Sequence, residues 1–254
     1  MSFCSTISVR FHSALKIAAV AVLLAALSVP TFAQKKFSRT YPAPSNVRLQ
    51  LMNKSGTVTV EGWDRAEVQI VASLEAPAAN IAPQNLSGTI VINLVRDNQD
   101  RRDVGNVNFI VRVPYTTMVD IETRMGNLNV SNVRGGLVRA RISTEGDITL
   151  TNIGASAVSA ENVTGDIFYD GDIVAGGTYR FASTRGAINL RIPFNSSFRV
   201  VATAPTTRNI SLGVFGGGAI NYIGDGRRVV GKFGDGSATL SVTNQQGSIS
   251  FFRR

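Results

Sequence analysis

The residues of this sequence whose types and spacing could do chemistry are aspartates and arginines of its second half, namely Asp147, Asp166, Asp170, Asp172, Arg180 and Arg185. Asp147 and Asp166 each directly follow a glycine, so coils of about 20 residues would align them in a column. Carboxylates in a column could bind calcium or, with a basic arginine, cleave a polysaccharide. We favour a simpler interpretation, in which Gly-Asp is a good turn sequence. The matching positions elsewhere hold Thr57, Asn127, Ala187 and Ser248.

Thiol and imidazole chemistry are excluded from most of the chain. Cys4 and His12 are its only cysteine and histidine. Both lie in a segment with a basic start, an apolar run over 17–29 and a small-residue end, which is typical of a secretory signal cleaved after Ala33. The chain left after cleavage could form no disulfide, no Ser-His-Asp triad, no Cys-His dyad and no zinc site of the usual kind. It would keep 24 of the 26 basic residues and all 17 acidic ones.

A repeat centred on glycine must position the remaining candidates. Apolar or small residues recur seven and five positions before the glycine and two and four positions after it, which predicts strand, turn and strand. We expect the glycine to adopt a positive φ and a polar residue three positions earlier to bond the turn backbone. The glycines are Gly56, Gly126, Gly146, Gly165, Gly186 and Gly247. The polar residues are Asn53, Thr123, Ser143, Asn162, Ser183 and Asn244.

Two units depart from this pattern. Before Gly146 the apolar residues sit one position off, and a one-residue bulge would restore their inward face, with Ser143 in the polar place. The other unit has Arg208 in place of the glycine, with Val201 and Thr203 in the apolar frame before it.

The sequence therefore predicts an all-β protein. Residues 116–254 are expected to form a β-solenoid or β-helix of coils near 20 residues, with 213–236 as a degenerate coil or a surface loop. Residues 47–115 form an N-terminal β region that caps the first coil. In the alternative, the solenoid begins at Leu49 and carries an insertion over about 75–115. Residues 34–46 are an extended lead-in, and residues 1–33 are the signal.

The repeats resemble those of the bacterial putative-adhesin family first described as a domain of unknown function. The segments that carry the resemblance include LMNKSGTVTVEGW, TRMGNLNVSNVRG, STEGDITLTNIG and TNQQGSISF, and the similarity covers about residues 47–254. It implies a β-solenoid fold and a location at the cell envelope or surface.

The candidate ligand contacts are Trp63, Asp166, Asp172, Arg180 and Arg185. No cofactor and no metal site is expected. The excess of basic residues favours anionic envelope polymers, whereas export argues against nucleic acid. The expected partners are envelope or surface glycans or other envelope proteins, for a protein that spans no membrane after signal cleavage.

The function predicted from these features is that of an exported, non-enzymatic adhesin or envelope-structural protein, in the periplasm or on the cell surface. The alternative is a carbohydrate-active β-helix enzyme that uses Asp166, Asp170 or Asp172.

Overall fold

The computed structural model describes residues 35–44, 46–217, 219–223 and 226–254. The predicted signal over 1–33 lies outside these residues. The all-β prediction is confirmed, since the described chain folds into two sheets of ten and eleven strands. None of the helices in the described chain has the length and apolar character needed to cross a membrane.

The first sheet contains ten strands. In spatial order they are β1 (Lys35–Pro42), β4 (Glu67–Leu74), β7 (Val107–Pro114), β3 (Val58–Trp63), β9 (Leu128–Ser131), β11 (Ile148–Ile153), β13 (Ile167–Gly171), β15 (Ile188–Ile192), β21 (Ile249–Arg253) and β17 (Ile210–Ser211). Strands β1 and β4 join this sheet in antiparallel fashion, and the others pair in parallel.

The second sheet contains eleven strands. In spatial order they are β18 (Ala219–Ile223), β19 (Arg228–Phe233), β16 (Phe198–Thr203), β20 (Ala238–Asn244), β14 (Thr178–Arg185), β12 (Ala157–Thr164), β10 (Leu137–Glu145), β8 (Met118–Met125), β2 (Arg48–Ser55), β6 (Thr89–Asn93) and β5 (Gln84–Leu86). A short helix, α1 (Leu94–Asp97), follows β6, and 3-10 turns occur at Thr207–Asn209 and Gly213–Gly217.

The chain passes repeatedly from the eleven-stranded sheet to the ten-stranded sheet, and each such pair of strands forms one rung of a stack. In spatial order the rungs are β6–β7, β2–β3, β8–β9, β10–β11, β12–β13, β14–β15, β20–β21 and β16–β17. Neighbouring rungs pair in parallel in both sheets, as expected when the connection between paired strands crosses over to another layer.

The spatial order of the rungs differs from their order in the chain. The last rung of the sequence, β20–β21, lies between β14–β15 and β16–β17. Near the N-terminus, β2–β3 pairs directly with β8–β9, and β6–β7 lies outside it. Strands of the segment 47–115 thus supply two rungs of the stack, while the division of the chain at residue 116 and the alternative of an insertion over about 75–115 stay predictions. Residues 213–236 supply a turn and the β18–β19 hairpin that extends the eleven-stranded sheet.

The core lies between the two sheets and is filled by every second residue of each strand. In β8, for example, Val119 and Ile121 are fully buried, while Glu122 and Arg124 point outward. Because the side chains of a strand alternate between its two faces, each rung buries one row and exposes the other. Phenylalanine rings with centroids 4.9 to 6.4 Å apart close the end formed by β16–β17, namely Phe198, Phe215, Phe233 and Phe251.

The bulge predicted before Gly146 is confirmed, but its polar position is not. Ile142 pairs with Thr123 and Glu145 with Met125, so β10 contains one more residue than β8 over the same step. Ser143 was expected in the buried polar place and is exposed instead. The extra residue rotates the chain, and Ile142 occupies the inward position.

The Arg208 unit is shifted by one residue from the predicted frame. Val200 and Ala202 point into the core, whereas Val201 and Thr203 lie on the outer face. Arg208 lies in a 3-10 turn and does not replace a stacked glycine. A shift of one residue exchanges the inward and outward faces of a strand. Because residues 200 and 201 are both valine, the sequence did not decide which of them points inward.

Candidate binding surface

One corner of the stack is built from the repeated glycines. A Cβ added at Gly165 would overlap the carbonyl group of Gly146, and one added at Gly186 would overlap that of Gly165. Both glycines have positive φ angles, +125° and +120°. Gly56, Gly126 and Gly146 share this conformation, whereas Gly247 stacks in the same column without a φ in that region. Glycine is required here because the backbones of adjacent rungs meet with no room for a side chain.

Buried polar side chains hold this corner as expected. Asn53 Nδ2 donates to the carbonyl oxygen of Val107 at 3.0 Å, and Thr123 Oγ1 donates to that of Met125 at 3.0 Å. Corresponding bonds to the turn backbone are made by Asn162, Ser183 and Asn244. These side chains satisfy carbonyl groups that the turn leaves outside the strand ladders.

The residues that follow the glycines form a ladder of side-chain acceptors. Asn127 Oδ1 accepts a hydrogen bond from the Asp147 amide at 3.0 Å. Asp147 Oδ1 accepts one from the Asp166 amide at 2.8 Å, and Asp166 Oδ1 accepts one from the Ala187 amide at 2.7 Å. The column predicted for Asp147 and Asp166 therefore exists, and it links successive turns through backbone amides.

Asp170 and Asp172 lie at the opposite corner and are paired with arginines. Asp170 is buried and forms ion pairs with Arg191 and with Arg254, whose Nε is 3.4 Å from its Oδ1. Arg254 Nη1 also donates to Asp172 Oδ1 at 2.8 Å. Tyr169, whose hydroxyl donates to the Asp172 carbonyl oxygen at 2.8 Å, has its pKa raised by burial.

The five candidate ligand contacts do not converge on one site. Asp166 and Arg185 lie at the glycine corner, Asp172 at the other corner, and Arg180 on the outer face of the eleven-stranded sheet. Trp63 ends β3, where its Nε1 donates to the Glu67 carbonyl oxygen at 2.9 Å and the Arg65 guanidinium lies 5.0 Å from its ring. Their roles as ligand contacts stay predictions.

Asp172 borders a cavity of about 380 Å³ at its corner. The polar residues around it include Asn195, Ser197, Asp235 and Ser237, and Ile173, Ala175 and Pro193 supply an apolar part of the lining. Asp235 Oδ1 accepts a hydrogen bond from the Ser237 amide at 2.9 Å, which lowers the pKa of that carboxyl. Within the described parts of the chain, no three metal-binding side chains come together here or elsewhere.

Charge is distributed unevenly over the outer face of the eleven-stranded sheet. Strands β2, β8, β10 and β12 together carry basic and acidic residues, with only basic ones on β2 and only an acidic one on β12. Here Asp120, which is only 8% exposed, accepts hydrogen bonds from Arg139 Nε at 2.7 Å and from Arg48 Nη2 at 3.1 Å. The bond to Asp120 raises the pKa of Arg139. Arg48 and Arg139 of this half are thus compensated by Asp120, and further acidic residues, Glu122, Glu145 and Glu161, lie on the same strands.

The other half of that face is basic. Strands β14, β20, β16 and β19 are adjacent and contain no acidic residue, while their basic residues are Arg180, Arg185, Arg199, Arg228 and Lys232. Arg180 pairs with Glu161 of β12 at 2.9 Å. We call the outward side chains of these four strands the basic half-face. Arg199 and Lys232 were not among the residues predicted from the sequence. The signal available was that four strands contain no acidic residue, but only the fold shows that these four strands are neighbours.

The fold defines the class of the protein as an all-β stack of parallel rungs. The chain matches the family model described as Toastrack DUF4097 over residues 42–251, and it belongs to that family. The resemblance to the bacterial putative-adhesin family is thereby confirmed.

Solved structures with a similar chain trace are distant in sequence. A putative cell adhesion protein from Clostridium sporogenes is 11% identical, with 87% of this chain and all of that chain covered and a TM-score of 0.46. A putative adhesin from Bacteroides fragilis is 11% identical, with 88% and 99% covered and a TM-score of 0.27. A putative lipid binding protein from Parabacteroides distasonis is 9% identical, with 87% and 97% covered and a TM-score of 0.26. Among curated proteins, none matches the chain.

Proposed function

We propose that this protein is an exported, non-enzymatic binding protein with an adhesin-like or envelope-structural role. The observation that carries the proposal is the outer face of the eleven-stranded sheet, where parallel pairing holds polar side chains of successive rungs in register. Paired strands lie about 4.8 Å apart, so such a face presents regularly spaced groups on a rigid support. Many weak contacts to a repetitive partner then add up to strong attachment.

The coil of about 20 residues is the structural unit of this proposal, since glycine stacks on glycine from Gly126 to Gly186. Export through the segment 1–33 would deliver the chain to the periplasm or the cell surface. Envelope or surface glycans and other envelope proteins are the partners that a polar, basic face suits best.

The acids of the enzymatic alternative have structural partners instead. Asp166 accepts a backbone hydrogen bond from the next rung, and Asp170 and Asp172 pair with arginines. A general acid or base must place a carboxyl oxygen within hydrogen-bond reach of the reacting group and exchange a proton with it, and an arginine partner favours the ionised form of a carboxyl. We therefore place binding ahead of catalysis.

Two measurements test this function. Protease treatment of intact and of outer-membrane-permeabilised cells, followed by blotting, should yield digestion of the chain in at least one of the two. Co-sedimentation of the purified protein with isolated envelopes at low salt should retain it in the pellet. A protein that stays protected in permeabilised cells, or that binds no envelope fraction, would contradict the proposal. Release of sugars from a polysaccharide panel would favour the enzyme.

A further inference from the structure

The basic half-face contains a repulsive contact. Arg199 of β16 lies directly opposite Lys232 of β19 in the antiparallel pair, and both side chains are exposed. Side chains at directly opposed positions have Cβ atoms about 5 Å apart, so two cations there destabilise the sheet. Among the described residues, neither cation takes part in an ion pair. Asp235, in the turn after β19, accepts a hydrogen bond from the Ser237 amide at 2.9 Å and is also attracted by Lys232, so part of the positive charge at this place is offset by the protein itself. An anion bound between the two cations would relieve their repulsion.

Arg180 lies on the same face as the opposed pair, on the far side of β20. Arg180 lies two strands away from Arg199 and two residues further along, because Arg180 pairs with Ser241 and Arg199 with Thr239. Standard sheet spacings place the Cα atoms of Arg180 and Arg199 roughly 12 Å apart. Arg228 lies on β19 opposite Thr203, four residues along that strand from Lys232 and away from the line that joins Arg180 to Arg199.

Hydroxyl groups fill the space between Arg180 and Arg199. Strand β20 runs between β14 and β16 and presents Thr239, Ser241 and Thr243 on the outer face. Serine and threonine hydroxyls both donate and accept hydrogen bonds, as do the hydroxyls of a sugar. Two cationic positions roughly 12 Å apart, with hydroxyls between them, complement a chain of sugars in which anionic groups are separated by hydroxyl-bearing sugar rings.

A lipid surface fits this face less well. None of the exposed large apolar side chains of the described residues belongs to β14, β20, β16 or β19, and Ile223 of the edge strand β18, opposite Arg228, borders the face at one end. Proteins that lie on a membrane combine basic residues with apolar side chains that enter the bilayer. The basic half-face has the first feature and lacks the second.

We infer that the basic half-face binds a linear acidic polysaccharide. Its carboxylate or phosphate groups would bind at Arg199 with Lys232 and at Arg180, and its hydroxyls would contact β20 between them. This inference rests on the proposed function and adds the face and the ligand class to it.

The test compares two double variants of the protein purified after expression of the whole 254-residue chain. Arg199→Ser with Lys232→Ser removes the opposed cations of the basic half-face. Lys54→Ser with Arg124→Ser removes the same charge from the other half of the same sheet, where β8 also carries acids. The probes are polygalacturonate for carboxylates, polyphosphate for phosphates, dextran as a neutral polymer, and vesicles of phosphatidylglycerol with phosphatidylcholine.

The wild type should bind polygalacturonate, polyphosphate or both, with an affinity that falls as salt rises, and should not bind dextran. The Arg199–Lys232 variant should bind at least about tenfold more weakly with a shallower salt dependence, and the Lys54–Arg124 variant should lose less than about threefold. Thermal unfolding without polymer should find the first variant about as stable as the wild type, because the repulsion removed offsets the lost attraction between Lys232 and Asp235. The exchange Arg199→Lys with Lys232→Arg keeps both charges and should keep binding even if the serine variant folds poorly.

The remaining outcomes separate the two proposals. Equal losses in both double variants, or vesicle binding stronger than polymer binding, would overturn the inference. If the wild type binds neither anionic polymer but still sediments with isolated envelopes, the inference fails and the proposed function stands. If it also fails to sediment with envelopes, the proposed function fails with it.

Discussion

Replacement of Gly165 by alanine tests whether close contact between backbones sets the stability of the stack. Gly165 has a φ of +125°, and a non-glycine residue forced into such a conformation costs roughly 1–3 kcal/mol. Its new Cβ would also lie only 2.6 Å from the carbonyl carbon of Gly146. Carbon atoms in contact prefer about 3.5 Å or more, so the two rungs would have to separate by about 1 Å.

The separation would strain hydrogen bonds between these rungs. The Gly146 amide donates to the Thr164 carbonyl oxygen at 2.9 Å, and the Asp166 amide donates to Asp147 Oδ1 at 2.8 Å. Loss of two such bonds costs about 2 kcal/mol at the usual net value of about 1 kcal/mol each. Together with the backbone strain, Gly165→Ala should lower the free energy of unfolding by roughly 4 kcal/mol.

Urea unfolding at 25 °C measures this loss, and two other glycines provide controls. Gly176 also has a positive φ, +74°, but an added Cβ there would meet nothing within 4 Å. Gly176→Ala should therefore lose only the strain, about 1–2 kcal/mol. Gly136 has open space and no left-handed φ, so Gly136→Ala should be near neutral. If Gly165→Ala and Gly176→Ala lose the same free energy, the contact between rungs is not limiting and the reasoning is wrong.

Three further predictions concern buried or bridging side chains. Asn53→Ala should lower the free energy of unfolding by roughly 1–3 kcal/mol in urea, because it leaves the buried Val107 carbonyl without its donor at 3.0 Å; a loss below about 0.5 kcal/mol would contradict this. Asp166→Asn keeps the Oδ1 acceptor for the Ala187 amide and should match the wild type, whereas Asp166→Ala should lose about 1 kcal/mol; equal losses would argue against the ladder. Burial raises the pKa of Tyr169 above its ordinary value of 10.0, so above that pH the unfolded tyrosine releases its proton while the folded one retains it. Stability should be complete below about pH 10 and should then fall by up to about 1.4 kcal/mol per pH unit. Tyr169→Phe should make that decline shallower, and an unchanged slope would refute the assignment.

The sequence by itself determined the local pattern of this protein. Alternation of period two predicts strands, and a glycine between two alternating runs predicts a turn with positive φ, as at Gly126 and Gly186. The buried polar side chain three residues earlier was also predictable, because turn carbonyl groups need donors. These features depend on residues close together in the chain. For the same reason the bulge before Gly146 could be read from the offset of its apolar residues.

The order of the rungs was decided only by the tertiary structure. Each rung presents similar inward and edge groups, so the sequence does not specify that β20–β21 enters between β14–β15 and β16–β17. Pairing of Arg199 with Lys232 comes from the antiparallel contact of β16 with β19, two strands that are not consecutive in the chain, and the rung order then places this pair beside β20 and β14. For this reason the basic half-face could not be predicted. Likewise, the ion pairs of Arg254 join residues 82 and 84 positions apart. Local pattern decides which face of a strand is buried, but contacts across the stack decide which strands, and hence which charges, become neighbours.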